Sequence, residues 1–132
     1  IAHPDETVWA ICGDGGFQMT NQEMATIMQE GIKNIKVAVV NNGFLGMVRQ
    51  WQELFWDGRY SHVDMGKLPD WLKLADAYGI WAKQETDKTK LIDTFKEAIE
   101  HDGPALVDVR VTKEENTYPM IPAGQAARDM VG

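Results

Sequence analysis

Apolar runs alternate with amphipathic segments along this chain, and each kind of segment has the length of one type of secondary structure. Residues 7–12, 35–40 and 105–111 are short and largely apolar, which predicts buried strands. Residues 35–40 are also β-branched and nearly all apolar, as in a parallel strand covered on both faces. Residues 80–84 predict a fourth, weaker strand.

Apolar residues at helical spacing predict helices between these strands. Thr20 and Glu23 match a capping box, so a helix is predicted to begin at Thr20 and to end near Gly31. The further predicted helices cover residues 47–55, 70–78 and 88–100. The last of these helices is predicted to bury Leu91, Ile92, Phe95, Ala98 and Ile99.

Strand, helix and strand joined by short links form a βαβ unit, and its repetition builds a parallel sheet with helices on both faces. The sequence therefore predicts an α/β three-layer sandwich with a mostly parallel sheet flanked by helices. By its length, the chain of 132 residues is expected to form one domain over residues 1–132. An irregular tail is expected from about residue 112.

Composition narrows the function classes. The net charge of −7 disfavours a nucleic-acid surface, and no apolar stretch is long enough to span a membrane. The single cysteine, Cys12, excludes an internal disulfide and favours a reducing, cytoplasmic location. The chain lacks an initiating methionine and enters a strand almost at once, which is typical of a piece cut from a longer polypeptide.

Two polar turns follow the first two predicted strands, at residues 13–16 and 41–43. A right-handed crossover places both turns at the same edge of a parallel sheet, where ligands bind in such folds. Asp14 offers a carboxylate oxygen, Asn42 an amide oxygen, and a backbone carbonyl just after Asn42, such as that of Phe44, a third oxygen. Three oxygens suit Mg²⁺, which takes its remaining ligands from phosphates and water.

The glycines beside Asp14 favour a phosphate ligand. Gly15 and Gly16 allow the backbone to approach a phosphate closely, and the helix that follows supplies free N–H groups. A dinucleotide-binding loop is disfavoured because Gln18 follows where a third glycine would be needed, and no Gly-Lys-Ser/Thr phosphate loop occurs. Either turn alone is more often an ordinary tight turn, so the indication of a metal-diphosphate site rests on both turns at this spacing.

The same residues carry a family resemblance. Gly13-Asp14-Gly15, followed after 25 residues by Asn41-Asn42, resembles the thiamine-diphosphate signature. Three segments are similar to the catalytic subunit of acetolactate synthase: NNGFLGMVRQWQ at 41–52, RYSH at 59–62 and YPMIPAG at 118–124. This resemblance covers nearly the whole chain, and the segment from Gly46-Met47 to Trp51 is its most discriminating part.

The resemblance implies a set of site residues. Asp14, Asn42 and the carbonyl of Phe44 would hold Mg²⁺, and Trp51 would line the substrate channel. The residues implied to bind the cofactor are Gly13, Asp14, Gly15, Gly16, Asn42, Phe44, Leu45, Gly46 and Met47. No catalytic residue is implied in this chain, because the glutamate that protonates the cofactor comes from another domain. FAD would likewise bind elsewhere in the full-length enzyme.

The implied activity is condensation of two pyruvate molecules, or of pyruvate and 2-oxobutyrate, with loss of carbon dioxide. The implied full-length enzyme is a homodimer or homotetramer that a regulatory small subunit could join, and this chain alone is expected to be inactive. Two alternatives stay open. One is another thiamine-diphosphate enzyme, such as a glyoxylate carboligase, a pyruvate oxidase or a 2-oxoacid decarboxylase. The other is a non-catalytic binding module of the same fold.

Overall fold

The computed structural model describes residue 3 and residues 5–132, and its centre is a four-stranded parallel sheet. The strands are β1 (Val8–Gly13), β2 (Ile35–Asn41), β3 (Trp81–Glu85) and β4 (Ala105–Arg110), in the spatial order β1-β2-β4-β3. The predicted parallel α/β architecture is confirmed. Each strand lies within one residue of its predicted limits, because the apolar runs have the length of strands, are rich in β-branched residues and are bounded by turn residues.

Helices cover both faces of the sheet. They are α1 (Asp14–Thr20), α2 (Glu23–Gln29), α3 (Gly46–Phe55), α4 (Trp71–Ala77) and α5 (Leu91–Glu100). On one face, α1, α2 and α4 pack against the sheet through a cluster formed by Phe17, Met24, Val39, Trp71, Ala75, Ile80 and Leu106. On the other face, α5 packs through a smaller cluster formed by Ala98, Ala105 and Val107. Successive residues of β4 thus serve opposite layers, as the period of a strand requires.

The predicted capping box at Thr20 is wrong. Thr20 is the last residue of α1, and its hydroxyl donates to the carbonyl of Gly16 (3.1 Å). α2 begins separately at Glu23, with Gln22 at its N-cap and no side-chain cap. The glycine turn is itself the first turn of α1, so Thr20 lies within a helix, where a threonine hydroxyl bonds back to a carbonyl four residues earlier.

The predicted inner face of α5 is wrong in part. Ile92 is 69% exposed, and Ile99 is also exposed, whereas Thr94 and Ala98 are fully buried. The hydroxyl of Thr94 donates to a carboxylate oxygen of Glu85 on β3 (2.8 Å), so its burial leaves no unpaired polar group. Periodicity correctly included Ala98 and Phe95, which pack at the sheet, but it also favoured the two exposed isoleucines and missed Thr94.

The chain beyond β4 runs back along α3. The buried side chain of Gln50 donates to the carbonyl of Thr117 (2.9 Å) and accepts from its N–H (2.9 Å). Met120 and Val131 then pair in an isolated antiparallel bridge. Among the described residues, no helix has the length and apolar character needed to cross a bilayer.

Candidate functional site

Asp14 connects the two turns at the carboxyl ends of β1 and β2. The strands pair in parallel, with Gly13 beside Val40, so the turns that follow them lie side by side. Asp14 is only 2% exposed. One carboxylate oxygen accepts from the N–H of Gly15 (2.8 Å) and the other from the N–H of Gly43 (2.6 Å). A carboxylate has about four acceptor positions, so Asp14 retains capacity for a further ligand.

Asn42 begins the second turn. Its side-chain oxygen accepts from the N–H of Phe44 (2.9 Å), and Gly43 between them adopts a left-handed backbone with φ of 73°. A Cβ atom added at Gly46 would lie 3.2 Å from the Asn42 amide nitrogen, so this side chain packs against the start of α3. The structure therefore brings Asn42 to the edge of the sheet where Asp14 lies.

The carbonyl of Phe44 faces the same side as its N–H. Phe44 pairs with Asp64 in an antiparallel bridge whose hydrogen bonds are made by the flanking residues. Leu45 donates to Val63 (2.8 Å), and Met65 donates to Gly43 (2.9 Å). In this type of pair the central residue directs its own N–H and carbonyl away from the partner segment. The N–H reaches Asn42, so the carbonyl oxygen of Phe44 points toward the Asn42 side of the turn.

The two glycines after Asp14 have different surroundings, one closely packed and one open. A Cβ atom at Gly15 would lie 2.7 Å from Leu45 Cδ2, whereas one at Gly16 would meet no heavy atom within 4 Å. α3 begins at Gly46 without a side-chain cap and without an acidic residue in its first turn. The first N–H groups of this helix are therefore available to an anionic group.

The donor set fits a hard divalent cation. The two hydrogen bonds that Asp14 accepts within the described residues come from neutral backbone groups, and a buried carboxylate is stabilised by a nearby cation. The described residues contain no group of three His, Cys, Asp or Glu side chains that could hold a metal. A metal here would depend on one carboxylate with amide and carbonyl oxygens, which suits Mg²⁺ with phosphate and water.

An apolar cleft lies along α3. Met47, 54% exposed, and Trp51, half-buried, both line this cleft of about 550 Å³. The rest of its lining consists of Val48, Gln52, Trp56, Arg59 and Ser61. Trp51 also lines a second cleft of about 480 Å³, whose opposite wall is the C-terminal tail. Met47 is too exposed to be an ordinary core residue. Asp14 lines neither cleft.

Sequence reasoning missed a polar group at the same edge of the sheet. Asp108 on β4 is buried and accepts from the side chains of Asn41 (2.9 Å) and Gln84 (2.6 Å). Its signal was an acidic residue within the apolar run 105–111, which is unusual for a strand covered on both faces.

Comparisons with known proteins identify the family of this chain. Residues 1–109 match the family model described as "Thiamine pyrophosphate enzyme, C-terminal TPP binding domain". The chain is 44% identical over its whole length to an acetolactate synthase of Arthrospira platensis, covering 23% of that protein. It is 42% identical to an acetolactate synthase large subunit of Porphyra purpurea, again over its whole length, and covers 22% of it.

A further relative is an acetolactate synthase of Mycobacterium bovis, which is 45% identical over 97% of this chain. The chain spans less than a quarter of the length of these relatives. A thiamine diphosphate-dependent 4-hydroxybenzoylformate decarboxylase of Rhodococcus jostii has a similar structure, with a TM-score of 0.76 and 26% identity. That similarity covers 84% of this chain and 21% of the decarboxylase chain. The chain therefore belongs to the thiamine pyrophosphate enzymes and corresponds to their C-terminal TPP-binding domain.

Proposed function

We propose that this chain anchors Mg²⁺ and the diphosphate of thiamine diphosphate in the catalytic subunit of an acetolactate synthase. The observation that carries the proposal is the buried Asp14 carboxylate, which connects the glycine turn after β1 to the asparagine turn after β2. The proposal is supported by relatives that are 42–45% identical and are named acetolactate synthases.

In the proposed site, three oxygen atoms hold Mg²⁺. Asp14 supplies the single negative charge, Asn42 a neutral amide oxygen and Phe44 its backbone carbonyl. A diphosphate already carries about three negative charges, so one carboxylate limits repulsion around the ion while neutral oxygens complete the shell. The bonds from Gly15 and Gly43 keep the Asp14 carboxylate in one orientation. The carboxylate therefore does not need to reorient when the ion binds.

Backbone groups orient the rest of the cofactor. Gly13 and Gly16 present an exposed main chain to the diphosphate, and Gly15 lets Leu45 pack closely against the same turn. Gly46 and Met47 contribute N–H groups at the start of α3. Leu45 lies against Gly15 and forms an apolar wall. When bound, thiamine diphosphate supplies the carbanion chemistry, whereas the protein supplies binding, orientation and electrostatics.

The cleft along α3 is the proposed approach for small 2-oxo acids. Trp51 and Met47 give it an apolar wall along the helix. The whole enzyme would condense two pyruvate molecules, or pyruvate with 2-oxobutyrate, in branched-chain amino-acid biosynthesis. A glutamate outside this chain would activate the cofactor, and FAD would bind a separate domain. We further propose a cytoplasmic homodimer or homotetramer, with which a regulatory small subunit could associate.

Another thiamine-diphosphate activity is the second candidate, because the structurally similar protein from Rhodococcus jostii is a decarboxylase. Product analysis of the full-length protein with pyruvate separates the two. Acetolactate as the main product supports the synthase, and acetaldehyde as the main product supports a decarboxylase.

The anchor itself is tested by calorimetric titration of thiamine diphosphate into the full-length protein, with Mg²⁺ or with EDTA. The variants are Asp14→Ala and, as a matched control, Asp93→Ala, which removes an exposed carboxylate on α5. We expect Mg²⁺-dependent binding in the wild type and in the control, and its loss in Asp14→Ala. Binding that persists in EDTA and in Asp14→Ala would contradict the proposed function.

A further inference from the structure

Residues 41–44 form the turn that carries the proposed metal ligands Asn42 and Phe44, and this turn is called the metal loop below. A buried carboxylate beside the metal loop has no part in the function derived above. Asp108 lies on β4 with only 1% of its surface exposed. One of its oxygens accepts from Asn41 Nδ2 (2.9 Å) and the other from Gln84 Nε2 (2.6 Å). Arg110 approaches the second oxygen at 3.6 Å, with its own side chain about half-exposed. The carboxylate thus joins three neighbouring strands at their carboxyl ends.

The strand order explains why Asp108 reaches the loop. β4 lies between β2 and β3, with Asp108 beside Val39 on one side and Gln84 on the other. Asn41 is two residues further along β2 than Val39, and it ends that strand. Its main-chain carbonyl also accepts from the N–H of Val111 (3.0 Å). Both the side chain and the backbone of Asn41 are therefore held by β4.

Asn41 depends on Asp108 for its side-chain hydrogen bonding. Asn41 is buried, and its Oδ1 atom has no partner among the described residues. The bond from Nδ2 to Asp108 is then the hydrogen bond that sets the rotation of this amide. Asn42 follows directly, and beyond it Gly43 has a left-handed backbone, which glycine adopts readily.

We propose that Asp108 is a positioning residue for the metal loop: through Asn41 it fixes the end of β2 from which Asn42 and the Phe44 carbonyl project. This inference rests on the proposed function. Asp14 holds the loop from the β1 side through Gly43, and Asp108 holds it from the β4 side. Asp108 does not touch the metal. Residues that orient metal ligands in this way typically change metal affinity about 10–100-fold when they are replaced.

The test is titration of Mg²⁺ into the full-length apoprotein saturated with thiamine diphosphate, followed by tryptophan fluorescence and calorimetry. We expect Asp108→Ala to raise the half-saturating Mg²⁺ concentration about 10–100-fold. Asp108→Asn should retain most of the wild-type affinity for Mg²⁺, because the amide oxygen of the new side chain can still accept a hydrogen bond from Asn41. Asn41→Ala breaks the same bond from the other side, and should weaken Mg²⁺ binding to a similar extent.

Thr94→Val is the matched control, because it removes one buried hydrogen bond on α5, to Glu85, away from the loop. We expect it to lower the melting temperature of the apoprotein and to leave Mg²⁺ affinity unchanged. If Asp108→Ala does not fold, Asn41→Ala carries the test. Wild-type Mg²⁺ affinity in Asn41→Ala and in any folded Asp108→Ala would overturn the inference while leaving the proposed function intact. Absence of Mg²⁺-dependent cofactor binding in the wild type would overturn both.

Discussion

A single methyl group at Gly15 tests the proposed diphosphate site with little disturbance of the fold. In Gly15→Ala the new carbon would lie 2.7 Å from Leu45 Cδ2, whereas carbon atoms in contact lie about 3.5–4.0 Å apart. The Leu45 side chain must therefore withdraw by about 1 Å. It is partly exposed and can rotate toward solvent. Rotation away from its preferred geometry costs about 0.5–1.5 kcal/mol, and replacing a helical glycine by alanine offsets about 0.5–1 kcal/mol of this.

The apoprotein of Gly15→Ala should consequently melt close to the wild type. Gly16→Ala measures the gain from replacing a helical glycine without the steric cost at Leu45, because its methyl group meets no atom within 4 Å. It should raise the melting temperature of the apoprotein, by an amount equivalent to about 0.4–1 kcal/mol. The double variant Gly15→Ala/Leu45→Ala relieves the overlap, so a double-mutant cycle should show a coupling energy between these neighbouring positions.

Cofactor binding gives the decisive measurement. The added methyl group and the displaced leucine would occupy space assigned to the diphosphate, so we expect the Kd of Mg-thiamine diphosphate to rise on the order of tenfold, or ~1.4 kcal/mol. Calorimetry on the full-length protein at fixed Mg²⁺ measures this directly. Unchanged affinity in both Gly15→Ala and Gly16→Ala would refute the reasoning, because no ligand could then lie against this turn.

Two further predictions concern stability and the tail. The pKa of Glu85 is held below its ordinary value by hydrogen bonds from the N–H of Asp87 and the hydroxyl of Thr94. The stability this provides is complete above the ordinary glutamate pKa and is lost as pH falls through the lower folded value. Glu85→Gln should therefore lower the melting temperature at pH 7 and change it less at pH 3; an equal change at both would contradict this assignment. Gln50→Ala removes two hydrogen bonds to Thr117, worth about 0.5–1.5 kcal/mol each. Limited proteolysis of the tail should then accelerate about 5–150-fold, and an unchanged rate would show that other contacts hold it.

The order of strands and helices could be predicted from the sequence because it depends on local patterns. Short apolar runs form strands, and an amphipathic segment such as 47–55 forms a helix, wherever they lie in the fold. The neighbouring positions of Asp14 and Asn42 also followed from local information. A crossover that joins two parallel strands is almost always right-handed, and the two strands then point in the same direction. The turns that follow them therefore lie at the same edge of the sheet. Their roles as metal ligands remain predictions.

Features that depend on distant parts of the chain were decided only by the tertiary structure. Asp108 meets Asn41, 67 residues earlier, because β4 lies between β2 and β3, and no local pattern specifies that order. The buried face of α5 was likewise decided by a partner on another element, since Thr94 is buried where Glu85 accepts its hydroxyl. Periodicity records how apolar each face of a segment is. Burial also depends on whether a polar atom finds a partner across the fold, and that information is not local.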